Sequence, residues 1–89
     1  MKKEKEQKLP AWFDGEVYEI GDEVRNPYSG ATILLTANEL SMYDLIKGAE
    51  IVLSTMPGRI NVAEVSRTMR RGLDWFRQHA PEAYMVLLD

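Results

Sequence analysis

The stretch Thr36–Met56, TANELSMYDLIKGAEIVLSTM, decides how this chain folds. Its apolar residues recur at intervals of three and four, the spacing of one face of an α-helix; they are Met42, Leu45, Ile46, Ala49, Val52, Leu53 and Met56. Thr36 and Glu39 stand three residues apart at its start, which is the spacing of a capping box. We therefore predict one long amphipathic helix, with an apolar face broad enough to contact two packing partners.

A second amphipathic helix is predicted downstream. Pro57 and Gly58 end the first helix, and Asn61 with Glu64 repeats a cap-like spacing. The apolar face of the second helix consists of Val62, Val65, Met69, Gly72, Leu73 and Phe76. A short loop between two amphipathic helices favours an antiparallel pair. Gly48, inside the first helix, either permits a close helix crossing or is only tolerated there, at a cost of about 1 kcal/mol.

The residues before the first helix predict a small antiparallel sheet. β-prone residues in Glu16–Ile20, Glu23–Asn26 and Ala31–Leu35 indicate up to three short strands. Between the last two strands, Asn26–Gly30 (NPYSG) combines a turn-forming proline with a final glycine that can take a positive φ. We therefore predict a β-hairpin whose tip lies in that stretch. A sheet of two or three strands requires helix packing to be stable.

The two ends of the chain complete the predicted architecture. Pro81 either ends the second helix or starts a new turn at its first position. For Glu82–Leu88 we favour a short C-terminal helix over a strand. Residues 1–8 (MKKEKEQK) have nothing to bury and are expected to be a disordered charged tail. The prediction is an α+β fold in which residues 9–89 are one domain: a small N-terminal β-hairpin, two antiparallel amphipathic helices and a short C-terminal helix.

Composition and motifs argue against several classes of function. The chain has no cysteine, so it has no thiolate for zinc and no disulfide. No apolar run approaches the ~20 residues of a membrane span, and no apolar signal core follows the charged start, so we expect neither membrane insertion nor secretion by a cleaved signal peptide. The one histidine, His79, is expected to be a solvated helix-end residue. Without a phosphate loop, a calcium loop or a nucleophile elbow, we expect no enzyme, no cofactor and no metal site.

Large aromatic side chains are the first candidates for binding a partner. Trp12, Phe13, Trp75 and Tyr84 add apolar surface beyond what two helices cover in each other. Trp12 and Phe13 either fold back onto the core or contact a neighbouring subunit. Because a closed symmetric pair hides surplus apolar surface, we expect a homo-oligomer, with a dimer favoured.

Arginines on the second helix are the other candidates. Arg67, Arg70, Arg71 and Arg77 lie toward its C-terminal half, where positive charge suits the helix dipole. They either form ion pairs, with Asp74 or with the acidic segment Asp14–Glu23, or contact nucleic-acid phosphates. Because the net charge is −3, we favour ion pairing within or between copies and keep nucleic-acid binding as the alternative.

Four stretches of the sequence resemble small uncharacterised proteins of tailed bacteriophages, especially marine and cyanobacterial ones. They are Asn26–Gly30, Glu39–Asp44, Gly72–Phe76 and Ala83–Asp89, and the resemblance extends from about Pro10 to the end. It implies a phage origin and a role in the cytoplasm of the infected cell or in the virion, and it carries over no catalytic residue. The expected function is a non-enzymatic assembly or interaction protein that self-associates.

Overall fold

The structure, a computed structural model, describes residues 8–56, 58 and 60–88. Its elements are β1 (Asp22–Arg25), β2 (Thr32–Leu35), α1 (Ala37–Thr55), α2 (Val62–His79) and α3 (Pro81–Leu87). This order confirms the predicted α+β fold, including the short C-terminal helix. The charged tail expected at residues 1–8 lies, apart from Lys8, outside the described residues, and so does Pro57.

Helix α1 begins as the sequence predicts. The Thr36 hydroxyl accepts a hydrogen bond from the Glu39 backbone N–H at 3.2 Å. The Glu39 carboxylate in turn accepts one from the Thr36 backbone N–H at 3.0 Å, so both halves of the capping box are present. At the other end, the Met56 N–H donates to the Val52 carbonyl at 2.9 Å. These bonds satisfy backbone groups that a helix terminus leaves without intrahelical partners.

The close crossing of α1 and α2 is at Gly72. A Cβ atom placed there would lie 2.9 Å from Ile46 Cγ1 and 3.4 Å from Met42 Sδ, so a larger residue would require the Ile46 side chain or one of the helices to shift. At Gly48 a close helix crossing is one of the two interpretations of the sequence. A Cβ atom placed on Gly48, however, would have nothing within 4 Å. The sequence placed Gly72 on the apolar face, but periodicity does not show where two helices approach most closely.

The core occupies one half of the helix pair. Its buried apolar residues come from β2, from all three helices and from the α2–α3 junction: Leu35, Met42, Ile46, Ala49, Trp75, Phe76, Ala80, Ala83 and Leu87. In α1 the buried residues end at Ala49, and in α2 they begin at Gly72. Because the helices are antiparallel, the second half of α1 and the first half of α2 lie together, outside this core.

The hairpin turn has the predicted geometry. Gly30 has a φ of 81°, which confirms the expected positive value, and its N–H donates to the Asn26 carbonyl at 2.9 Å. The Asn26 side-chain oxygen accepts hydrogen bonds from the backbone N–H groups of Tyr28 at 2.7 Å and Ser29 at 3.2 Å. β1 and β2 pair antiparallel on either side of this turn. The turn chemistry is therefore entirely local, which is why the sequence predicts it.

The prediction of a strand over Glu16–Ile20 is wrong. No strand forms there; instead the segment lies against α1, where the Tyr18 backbone N–H donates to the Ser41 hydroxyl at 2.9 Å. Ser41 is fully buried, and its hydroxyl also donates to the Ala37 carbonyl at 2.8 Å. β-prone residues favour a strand only where a half-buried sheet surface is available to them. Here the backbone of the segment is bound by a helix side chain instead.

Asn26 also connects the hairpin to α3, and this bond gives a first prediction. Its side-chain N–H donates to the Val86 carbonyl at 2.9 Å. Asn26→Asp keeps the acceptor that the turn uses but sets a carboxylate oxygen against that carbonyl. We expect chemical denaturation to show a loss of about 1–3 kcal/mol in the free energy of unfolding. Tyr28→Ala, in the same turn, removes a side chain that is 95% exposed and should cost less than about 0.5 kcal/mol. Equal losses in the two variants would contradict the role of the Asn26–Val86 bond.

Candidate interaction surface

The aromatic residues predicted to contact a partner pack against the protein's own core. Trp75 is buried, with 8% of its surface exposed, and Trp12, Phe13 and Tyr84 are half-buried against the same cluster. Within the single chain, Trp12 and Phe13 therefore fold back onto the core. The burial of Trp75 is not evident from the sequence, because helical periodicity does not show the layer that α3 and the N-terminal segment (residues 9–21) add to the fold.

Two of the four arginines lie over aromatic rings. The Arg71 guanidinium carbon is 5.9 Å from the ring centroid of Trp12, and that of Arg77 is 5.7 Å from the ring centroid of Tyr84. A guanidinium within about 6 Å of a ring centroid is attracted by the ring's negative face. Each contact joins a candidate arginine to a candidate aromatic residue. Spacing along the sequence does not show this pairing.

The remaining arginine contacts are few. Arg77 forms an ion pair with Asp74 at 2.6 Å, which is one of the pairings that the sequence suggested. Both side chains are largely exposed, so the pair orients Arg77 more than it stabilises the fold. Arg67 and Arg70 are exposed and have no ion-pair or ring contact with any described residue. The outer face of α2 therefore keeps free positive charge.

An open groove of about 450 Å³ runs beside α1 and α2. Its lining comes from α1, α2 and the N-terminal segment: Asp44, Leu45, Gly48, Ala49 and Val52; Glu64, Val65 and Thr68; Asp14 and Gly15. The floor is apolar and built of small or medium side chains. Because nothing lies within 4 Å of a Cβ placed on Gly48, the α1 backbone is accessible from the groove at that residue.

The border of the groove is acidic. Asp14, Asp44 and Glu64 contribute three carboxylates, and none of the described residues that line the groove is basic. Beside it, the pKa of the Tyr18 hydroxyl is raised, first by loss of solvation and then by the negative charges of Asp44 and Glu16, with a hydrogen bond to Asp44. The groove therefore combines an apolar floor with a negative border.

Apolar side chains remain exposed from the groove toward the loop between α1 and α2. Ile51 is 58% exposed, Met56 44% and Val62 43%. Val52 and Val65, which line the groove, are only half-buried. In the second half of the apolar face that the sequence predicted for α1, Val52 and Leu53 are therefore only half-buried and Met56 is exposed; Ile51 lies outside that face.

A metal centre is not found among the described residues. No group of three or more His, Asp or Glu side chains within them is arranged to hold a metal ion. His79 is exposed at the end of α2, and its ring lies 4.9 Å from the ring of Trp75, centroid to centroid. Among the helices described here, none combines the length and the apolar character needed to cross a membrane.

Comparison with known proteins found no matching family model, no matching curated protein and no matching solved structure. Function is therefore inferred from the surface of the molecule.

Proposed function

We propose that this protein is a non-enzymatic interaction or assembly protein that works as a homo-oligomer, with a dimer favoured. The observation that carries the proposal is the uncovered half of the helix pair, where the apolar face continues past the core to Met56 and Val62. The resemblance to small proteins of tailed bacteriophages implies that the site of action is the virion or the infected cell.

A physical argument links the uncovered half to self-association. An amphipathic helix is stable in water when its apolar face is buried against another layer, and one layer of two helices leaves one side open. A domain of this size has little further surface of its own with which to cover that side. A second copy supplies a matching apolar face, and a closed symmetric pair covers both faces at once.

The mass in solution tests the proposal. One chain has a mass of 10.2 kDa, and we expect light scattering or sedimentation to give about twice that value at micromolar concentrations. The melting temperature should also rise with protein concentration, because association stabilises the folded chain by mass action. The mass of a single chain at all concentrations, with a melting temperature independent of concentration, would overturn the proposal.

Nucleic-acid binding is the second candidate, and the free arginines favour it. Arg67 and Arg70 are exposed and have no ion-pair or ring partner among the described residues, and Arg71 and Arg77 lie near them on α2. If this face contacts phosphates, binding to duplex DNA should weaken steeply with added salt. The double variant Arg67→Ala/Arg70→Ala should then bind more weakly and with a smaller salt dependence. Binding that is absent at low salt would exclude this function.

A further inference from the structure

We infer that the groove binds helix α2 of a second copy in antiparallel orientation, with Glu64 of each copy paired with Arg71 of the other. The inference rests on the proposed self-association and names the surface and the contacts through which it occurs. It assigns a role both to the acidic groove and to the arginines of α2.

Charge complementarity selects the occupant. The groove is bordered by the carboxylates of Asp14, Asp44 and Glu64, and no basic residue is found among its described lining. An occupant must therefore bring positive charge together with a surface that fits an apolar floor. The exposed face of α2 supplies the positive charge through Arg67 and Arg71, and Val65 on the same helix is apolar and only half-buried. A second copy of this chain thus carries the charges that the groove lacks.

The spacing on α2 fits a two-fold axis. Glu64 and Arg71 are seven residues apart, so they lie on nearly the same side of the helix and about 10 Å apart at about 1.5 Å per residue. Thr68 lies between them and lines the groove. If two α2 helices run antiparallel about an axis near Thr68, each Glu64 faces the partner's Arg71. Opposite charges on one stripe are therefore self-complementary only in the antiparallel arrangement.

The groove is also shaped for a helix. Packed helices have axes about 8–10 Å apart, and the shorter separations require small residues at the contact. Gly48 on α1 and Thr68 on α2 are small, and the space above Gly48 is open to 4 Å or more. Glu64 and Arg71 are both exposed, so they are available for such a contact.

Charge reversal tests the pairing. We expect Glu64→Arg and Arg71→Glu each to raise the dimer dissociation constant about tenfold, because each change alters two symmetry-related pairs. The double variant, which restores opposite charges, should return to within about threefold of the unmodified protein. This recovery isolates the charge pair, because the contact of Arg71 with Trp12 is not restored. Arg70→Glu is the matched control: it makes the same charge change about 100° around the helix and should have little effect.

A variant of the groove floor gives an independent test. Gly48→Arg places a long side chain in the open space while improving helix propensity, so the chain should stay folded by circular dichroism but dissociate into single chains. A dimer that resists Gly48→Arg, or single charge reversals that the double variant does not rescue, would overturn this interface and leave self-association standing. A single-chain mass for the unmodified protein would overturn both.

Discussion

Phe76→Ala is expected to lower the free energy of unfolding by about 3–5 kcal/mol. Phe76 has no exposed surface and is the largest of the fully buried side chains. Its ring lies 6.3 Å from that of Tyr43 on α1 and 6.4 Å from that of Trp75 on its own helix, centroid to centroid. Its removal would leave a cavity where α1 and α2 meet. Because small domains are stable by only about 5–15 kcal/mol, much of the variant would be unfolded under mild conditions.

Urea denaturation followed by tryptophan fluorescence measures this loss, because Trp75 reports on the same cluster. The control is Phe13→Ala, which removes the same atoms from a half-buried position. We expect that variant to lose clearly less, about 1–2 kcal/mol. A loss at Phe76 no larger than the loss at Phe13 would mean that the core is centred elsewhere.

Gly21→Ala is expected to cost about 3 kcal/mol or more, although it adds one methyl group. A Cβ atom at Gly21 would overlap the carbonyl oxygen of Leu35 and would lie 2.9 Å from the carbonyl carbon of Thr36. Both are backbone atoms at the junction of β2 and α1, so no side-chain rotation relieves the overlap. Either the N-terminal segment must leave its position against α1, or the start of the helix must move.

Gly48→Ala is the matched control, because the same methyl group meets nothing within 4 Å there. Alanine is favoured over glycine inside a helix, so this variant should gain about 0.5–1 kcal/mol. Thermal or urea unfolding of the two variants should therefore show shifts of opposite sign. A small loss at Gly21, comparable with ordinary surface substitutions, would show that the segment before β1 can move without disturbing the fold.

The positions of the core and of the groove indicate that one half of the helix pair stabilises the single chain and that the other half is available for association. The half that holds Phe76 is covered by the hairpin, α3 and the N-terminal segment. The half that holds Gly48 and Thr68 is not, and there the apolar floor and the acidic border meet solvent. Substitutions in the first half should therefore change the stability of the single chain. Charge changes on the outer faces of the second half should change association instead.

The sequence by itself determined the elements whose signals are local. The capping box of Thr36 and Glu39, the cap at Asn61, the positive φ of Gly30 and the short C-terminal helix are all found where the sequence predicts them. Each depends on hydrogen bonds or backbone preferences among residues close in the chain. Helical periodicity likewise identified the apolar faces of α1 and α2, because it depends on spacing alone.

Only the tertiary structure decided which of those surfaces meet. It placed the β-prone segment Glu16–Ile20 against α1, where the segment is hydrogen-bonded to Ser41 instead of to a neighbouring strand. It placed other atoms so close to Gly21 and Gly72 that a Cβ atom does not fit there without a shift, whereas Gly48 faces open space. It also buried Trp75 under a layer that periodicity does not reveal. These outcomes depend on contacts between residues far apart in sequence, and such contacts are set by the packing of whole elements, which no local pattern encodes.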